Sequence, residues 1–213
     1  MLSDGFDRSF GLEGLQALGK SNCSVTMKNL NLHGCNLLST LSLKSISNFH
    51  NLEMLDVSGC TKITVEGAKE IGKSCRKLSV LSMASCGECV SDAIVETLVV
   101  HLRLLRSANV SFCPKIGDRS LKALSSCSKL QLLDLTGCIG VTDQSILYLT
   151  EGQFKPGLRD LFLAQCSAIG DTSLSWITDG LKQTLDGSVS LETLSVKGTR
   201  YGIKILADEF FSL

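Results

Sequence analysis

The sequence is poor in aromatic residues, in proline and in charge of one sign. Aromatic residues make up 5% of the 213 residues, and proline occurs only twice. Lysine plus arginine and aspartate plus glutamate both number 21, so the formal net charge is zero. A balanced charge gives no support for a nucleic acid or an anionic membrane as the main partner. No uncharged apolar stretch is long enough for a membrane span, so we predict no membrane insertion.

The start of the chain lacks the basic segment and the apolar run of a secretory signal. The ten cysteines would suggest a disulfide scaffold if the protein were small and secreted. A chain of this length, with 44% hydrophobic residues, can build a core without disulfides. We therefore interpret the cysteines as reduced thiols, with disulfides as the alternative. This interpretation predicts an intracellular protein, either cytoplasmic or nuclear.

Leucine, in contrast, is abundant and regularly spaced. The template L-x-x-L-x-L-x-x-C first begins at Met27, and its cysteines follow one another 25 to 28 residues apart by position number. A degenerate seventh copy begins at Leu191 and has Thr199 in the place of the cysteine. The alternating apolar residues predict a short strand with one buried face. The cysteine column consists of Cys35, Cys60, Cys86, Cys113, Cys138 and Cys166.

A second pattern follows each cysteine, and Val141-Thr142-Asp143 with Ile146 and Leu149 is a clear copy. Apolar residues three apart fit one face of a helix. The Thr, Ser or Asp before that face predicts a helix start, because its oxygen can accept from N–H groups of the first turn. Each unit is then one strand plus one helix, and only stacked copies bury both apolar faces. We predict an α/β fold, a right-handed leucine-rich-repeat solenoid (horseshoe) with a parallel concave sheet and convex helices.

The repeats are expected to form one domain over residues 1–213, with about seven units. Residues 1–24 fit the helix half of a preceding repeat, residues 25–199 hold the repeats, and residues 200–213 fit a cap at the C-terminal end. Residues 178–190 lengthen one connection. That connection is either an insertion that carries binding residues or a longer final helix from Leu174 to Leu185.

The combined template resembles the cysteine-containing leucine-rich repeat. This repeat is common in F-box proteins, the substrate receptors of cullin-type ubiquitin ligases. The resemblance covers roughly residues 25 to 200 and implies a protein-recognition module that serves an SCF-type ubiquitin ligase. Residues 1–24 are too short for an F-box, so we expect either a fragment of a longer protein or a short repeat-only chain. A structural or assembly subunit of a larger multiprotein complex is therefore the alternative function.

Residue types that carry catalysis or bind metals do not form a convincing site. Cys86-Gly87-Glu88-Cys89 is a C-x-x-C, which alone would suggest a redox pair or half a zinc site. Zinc would need two further ligands, and no second C-x-x-C occurs, so we interpret the pair as structural, with Cys89 as the cysteine most exposed to solvent. Asp118, Asp143 and Asp171 recur at helix starts, which favours a structural role. We predict no enzyme and no catalytic, cofactor or metal site.

The strand faces are the strongest functional candidate. Positions 3, 5 and 7 of the template should point away from the core, because strand side chains alternate. Some of these positions are apolar where water is expected, and acidic residues lie beside them. An apolar patch with an acidic surround predicts a peptide or protein domain with basic residues as the partner; the alternative is a solvated face with scattered apolar residues. The candidate partner-binding residues are Met54, Asp56, Val80, Asn109, Leu132, Asp134, Asp160 and Phe162.

Overall fold

Strand and helix alternate through the whole described part of the chain. The computed structural model describes residues 12–151, 157–182 and 191–199. The strands are β1 (Asn29–Asn31), β2 (Met54–Asp56), β3 (Val80–Ser82), β4 (Ser107–Asn109), β5 (Leu132–Asp134), β6 (Asp160–Phe162) and β7 (Thr193–Ser195). The helices are α1 (Leu12–Lys20), α2 (Cys23–Thr26), α3 (Thr40–Ile46), α4 (Val65–Ser74), α5 (Asp92–Val99), α6 (Asp118–Leu124), α7 (Asp143–Glu151) and α8 (Asp171–Lys182).

The seven strands form one parallel sheet in chain order. Equivalent template positions face each other from strand to strand, and Leu81, Ala108 and Leu133 are one such row. From α3 to α8 each helix packs against the next, so helices line one side of the sheet. Strands pair about 4.8 Å apart, whereas packed helices need about 8–10 Å. The stack therefore curves with the sheet on the inner side, and the predicted leucine-rich-repeat solenoid is confirmed.

The core consists of the residues that the template predicts to be inside. Template positions 4 and 6 are buried, for example Leu133 and Leu135, which are fully shielded from solvent. The helix side of the same repeat contributes Ile146 and Leu149. Ala108 is the one inward residue of position 4 in the described strands that is not leucine. A cavity of about 10 Å³, lined by apolar side chains that include Leu81 and Leu105, lies beside it.

The acidic helix starts act differently from the prediction. We expected Asp118 to accept hydrogen bonds within its own helix, but its carboxylate accepts from the backbone N–H and hydroxyl of Thr142 and from the hydroxyl of Ser145. Both partners belong to the start of α7, in the following repeat. Thr64 behaves as predicted and accepts from the Gly67 N–H in its own helix at 3.2 Å. The reason is geometric: adjacent helix starts lie side by side in the stack, so an N1 carboxylate reaches the next helix.

Three parts of the predicted organisation fall wholly or partly outside the described residues. The predicted cap at residues 200–213 lies outside them, as do residues 1–11 of the predicted N-terminal partial repeat and residues 183–190 of the lengthened connection. Helix α8 continues to Lys182, so the first part of residues 178–190 is helical. None of the described helices has the combination of length and apolar character that crossing a bilayer requires.

Candidate protein-binding face

The outward residues of the strands form two rows across the sheet. In the row of position 3, Met54 pairs with Val80, and Leu132 pairs with Asp160. The two pairs are separated by Ser107 on β4. The candidate apolar residues therefore form two groups instead of one continuous patch. We call this outward surface of β2 to β6 the strand face.

The second row, at position 5, carries most of the polar character. Asp56, Ser82, Asn109, Asp134 and Phe162 follow one another on neighbouring strands. This register places the Phe162 ring beside Asp134 and diagonal to the position-3 leucine of β5. All eight candidate residues are half-buried. The strand face therefore brings the predicted residues together on one surface, with an apolar group at each end and the polar strand β4 between them.

Several polar residues of the strand face also hold the backbone. The Asp134 carboxylate accepts a hydrogen bond from the Thr136 N–H at 2.9 Å. Asp56 and Asn109 accept in the same way from the N–H two residues later. Each side chain thereby closes the turn that leaves its strand. These three residues have a structural role besides any contact with a partner, which the alternation of the sequence does not indicate.

The described part of the chain does not neutralise the acidic charge of the strand face. Within the described ranges, no basic side chain forms an ion pair with Asp56, Asp134 or Asp160. The recorded ion pairs all lie elsewhere, such as Arg119 with Glu96 at 2.6 Å. Uncompensated carboxylates beside apolar side chains favour a partner that brings positive charge.

Position 7 departs from the prediction in part. Ser58 and Ser111 are buried, although position 7 was expected to face outward. The Ser58 hydroxyl lies 2.7 Å from the Ser82 hydroxyl and accepts from the Ala84 N–H. Ser58 is buried against the following repeat, because both of these contacts are with residues of that repeat.

One exposed aromatic residue was missed by the sequence reasoning. Phe112, at position 8 of its repeat, has a φ of +56° and is 49% exposed. A bulky residue in this left-handed conformation is unusual. Its ring lies against Gly137, where a methyl group would be 2.6 Å from ring carbon Cδ1. Phe112 and the exposed Ile139 therefore add apolar surface beyond the ends of β4 and β5.

The cysteine column lies in the core and away from the strand face. All six thiols are buried, and those of Cys60 and Cys138 donate to main-chain carbonyls of the preceding repeat at 3.3 and 3.2 Å. Burial raises the pKa of both thiols to about 12. A thiol that stays protonated and hydrogen-bonded is a poor nucleophile and a poor metal ligand.

The C-x-x-C pair requires a correction. Cys89 was expected to be the most exposed cysteine, but it is half-buried, and its thiol donates to the carbonyls of Cys60 and Cys86. Cys23, on α2, is the exposed one. The short 3-10 turn over Gly87–Cys89 folds Cys89 back onto the neighbouring turn. Across the described ranges, no three His, Cys, Asp or Glu side chains are grouped as metal ligands.

Comparison with known proteins agrees with this repeat architecture. The family model described as Leucine Rich repeat matches residues 50–72. The chain is 28% identical over 138 residues to the DNA repair protein rhp7 of Schizosaccharomyces pombe, which covers 55% of this chain and 24% of that protein. It is 33% identical over 91 residues to F-box/LRR-repeat protein 12 of Arabidopsis thaliana, which covers 42% of this chain and 22% of that protein.

The chain has the leucine-rich-repeat fold and is similar to proteins built from that repeat. Its repeats resemble those of the F-box/LRR proteins, as the cysteine template predicts. The chain spans less than a quarter of the length of these curated relatives. Among solved structures, yeast Rad7 in its complex with Elc1 aligns with a TM-score of 0.53 at 20% identity, over 88% of this chain and 54% of that one. That likeness shows the fold, which typically serves protein–protein interaction.

Proposed function

We propose that the strand face holds a protein partner that carries basic residues. The single observation that carries this proposal is the set of carboxylates, Asp56, Asp134 and Asp160, that form no ion pair within the described residues and lie beside half-buried apolar side chains on one sheet. Aliphatic and aromatic anchors supply the binding energy of an interface, and the carboxylates supply orientation and speed of association. The strand face also needs no rearrangement to bind, because every strand is held on both sides from β2 to β6.

We further propose that the bound partner is a substrate delivered to an SCF-type ubiquitin ligase, inside the cell in the cytoplasm or nucleus. Support comes from the resemblance to F-box/LRR-repeat protein 12 and to the DNA repair protein rhp7. The alternative is an assembly subunit of a larger complex. It is favoured by one finding, that the similar Rad7 was solved in complex with Elc1.

The binding proposal is tested with the double variant Leu132→Ser/Asp160→Lys. Neither side chain closes a turn in its repeat, so we expect the variant to fold. Affinity purification followed by quantitative mass spectrometry should show specific partners of the wild-type chain reduced by about tenfold or more. The matched control is Leu41→Ser/Glu66→Lys, which makes the same changes at exposed positions on α3 and α4. Equal loss from both variants, or from neither, would refute binding at the strand face.

Depletion of the chain from cells distinguishes the ubiquitin-ligase role from the assembly role, because the level of the partner should change in opposite directions. A ubiquitin-ligase substrate should accumulate, and inhibition of the proteasome should remove the difference. A fellow subunit of an assembly should instead decrease, because it loses its binding site, and should co-purify at fixed stoichiometry. Purification that recovers neither a cullin adaptor nor a protein that accumulates on depletion would exclude the ligase role.

A further inference from the structure

A second charged surface lies on the edge of the sheet where helices lead back into strands. Five basic side chains occupy its central part, and all five are exposed. We call this surface the basic rim. It consists of Arg76, Lys77, Arg103, Arg106 and Lys129.

The described residues do not neutralise the charge of the basic rim. Two acidic residues of the same edge lie outside its centre and have their own partners: Glu53 pairs with Lys28 at 2.9 Å, and Glu192 pairs with Arg159 at 3.5 Å. In the described parts of the chain, none of the five rim side chains forms an ion pair with a carboxylate. Lys77 donates only to the neutral amide oxygen of Asn51.

A helix-end contact accounts for one of these charges, because the Arg76 Nε–H donates to the Lys73 carbonyl in the last turn of α4 at 3.0 Å. Helix dipoles do not account for Arg103 and Arg106. A basic residue in the last turn of a helix stabilises it, and Lys73 and Lys122 occupy such places. Helix α5, however, ends at Val99, and Arg103 and Arg106 lie beyond that turn, where the effect has faded. The chain as a whole has no net charge, so this local excess is a segregation of charge and not a reflection of composition.

The opposite edge of the sheet provides a comparison. There, where strands lead into helices, Lys115 is paired with Glu88 at 3.1 Å, and the other lysines among the described residues of that edge are Lys62 and Lys197. The two edges have the same repeat geometry but different charge. The stacking of repeats therefore does not itself require a basic edge.

Exposed apolar side chains accompany the basic rim. Val100 is 59% and Leu104 is 38% exposed, whereas Leu102 and Leu105 in the same connection are buried. The backbone N–H of Arg106 donates to the Ser79 carbonyl at 2.8 Å, and the Arg106 carbonyl accepts from the Gln131 N–H at 2.7 Å. The connection that carries the exposed pair is thus fixed between the connections that carry Lys77 and Lys129.

We infer that the basic rim binds an acidic segment of a protein partner, which places an apolar side chain against Val100 and Leu104. Charge complementarity specifies the acidic segment, and the exposed aliphatic pair specifies the apolar anchor. A single-stranded nucleic acid would be expected to stack its bases on exposed aromatic rings, and the described residues of this edge expose aliphatic side chains instead. The basic rim is separate from the strand face. It favours an acidic partner segment, whereas the strand face favours a basic one.

The test uses fluorescence anisotropy with the full chain and three probes. The first is a peptide of glutamates around a central leucine pair, the second has serines in place of the leucines, and the third is an oligothymidine. We expect the glutamate–leucine peptide to bind most tightly, with an affinity that falls as salt is added. The variant Arg103→Glu/Arg106→Glu should weaken binding by about tenfold or more, and Leu104→Ser should also weaken it.

The matched control is Lys62→Glu/Lys69→Glu, which changes charge equally at exposed residues away from the basic rim. It should bind the peptide as the wild-type chain does, and so should the strand-face variant Leu132→Ser/Asp160→Lys. Circular dichroism melting shows whether each variant is folded. The inference is overturned if the peptide does not bind saturably, if the control weakens it equally, if the serine peptide binds as well, or if oligothymidine binds more tightly.

Discussion

The buried thiols of the cysteine column serve the stacking of the repeats. The Sγ–H of Cys113 donates to the Met83 carbonyl at 3.2 Å, and that of Cys166 donates to the Leu135 carbonyl at 3.1 Å. Each carbonyl belongs to the preceding repeat, so the thiol joins two turns. Cysteine suits this place because it is small, apolar and still a hydrogen-bond donor. The same reasoning explains why Cys86, although part of a C-x-x-C, does not form a reactive pair.

The raised pKa of the column thiols predicts a loss of stability at alkaline pH. Burial raises the pKa of Cys60, Cys86 and Cys138 from 9.0 to about 12. The folded state therefore holds these protons more tightly than the unfolded state does. The stabilisation is complete below the unfolded pKa and is lost as pH rises from about 9 toward 12. Urea unfolding measured across this range should show a falling free energy.

The control for the pH dependence is Cys138→Ala. This variant should be less stable at neutral pH, because the Val110 carbonyl loses its donor. Its free energy of unfolding should nevertheless decrease less steeply above pH 9, since one raised pKa has been removed. An equal slope in both proteins would show that the thiols do not cause the alkaline loss.

Adjacent helices are joined at their starts by a repeated side-chain pair. The Asp92 carboxylate accepts from the Gly117 N–H at 2.9 Å and from the Ser120 hydroxyl at 2.5 Å. Asp143 accepts in the same way from the Gly170 N–H and from the buried Ser173 hydroxyl. The acidic N1 residues of α5, α6 and α7 are thus each matched by a serine at N3 of the following helix.

The start of α4 lacks the acidic N1 residue, and the following helix lacks the serine at N3. Helix α4 begins with Val65 in place of an aspartate, and the N3 position of α5 is Ile94 in place of a serine. An apolar N1 side chain therefore precedes an apolar N3 side chain. Without a carboxylate at N1 of α4, a serine hydroxyl at N3 of α5 would lack the acceptor that the hydroxyls of Ser120 and Ser173 have.

A double-mutant cycle on Asp118 and Ser145 tests this element-level contact. Asp118→Ala should lower the free energy of unfolding by about 1–3 kcal/mol, because buried donors at the start of α7 lose their acceptor. Combined with Ser145→Ala, the two effects should not add, and the coupling should be about 0.5–3 kcal/mol. Glu66→Ala, on the exposed face of α4, should change stability by less than about 0.5 kcal/mol. Strict additivity would show that the pair is not a unit.

The whole molecule is a linear array in which each repeat contacts its neighbours. Every described strand pairs only with the strands before and after it, and α4 to α8 pack in the same succession. Stability in such an array is approximately a sum over interfaces between neighbouring repeats. The rigid sheet that results can present two surfaces, the acidic strand face and the basic rim, at a fixed separation.

Hydrogen exchange should reveal this linear organisation. Amides of β4 and β5 should be better protected than those of β1, which has a neighbouring strand on one side in the described residues. Leu133→Ala should cost about 2–5 kcal/mol and should reduce protection in β4 to β6 more than in β1 and β2. Leu41→Ala, at an exposed position, should leave the profile unchanged. A uniform loss of protection after Leu133→Ala would indicate one cooperative unit instead.

The sequence by itself determined the repeat unit, its strand and helix halves, and the inward residues. These follow from local periodicity: alternation over a strand such as Leu132–Asp134 and threefold spacing over a helix such as α6 depend on a few consecutive residues. The burial of the cysteine column was predictable for the same reason, since its position in the template places it between the two apolar halves.

Only the tertiary structure decided what meets across repeats. Asp118 contacts Ser145 and Phe112 contacts Gly137, and in both cases the two residues belong to different repeats. The division of the strand-face apolar residues into two groups also depends on which repeats lie side by side. So does the basic rim, which gathers charges from three connections. Such contacts depend on how repeats stack, and stacking brings together residues about one repeat apart in sequence, beyond the range that local periodicity can describe.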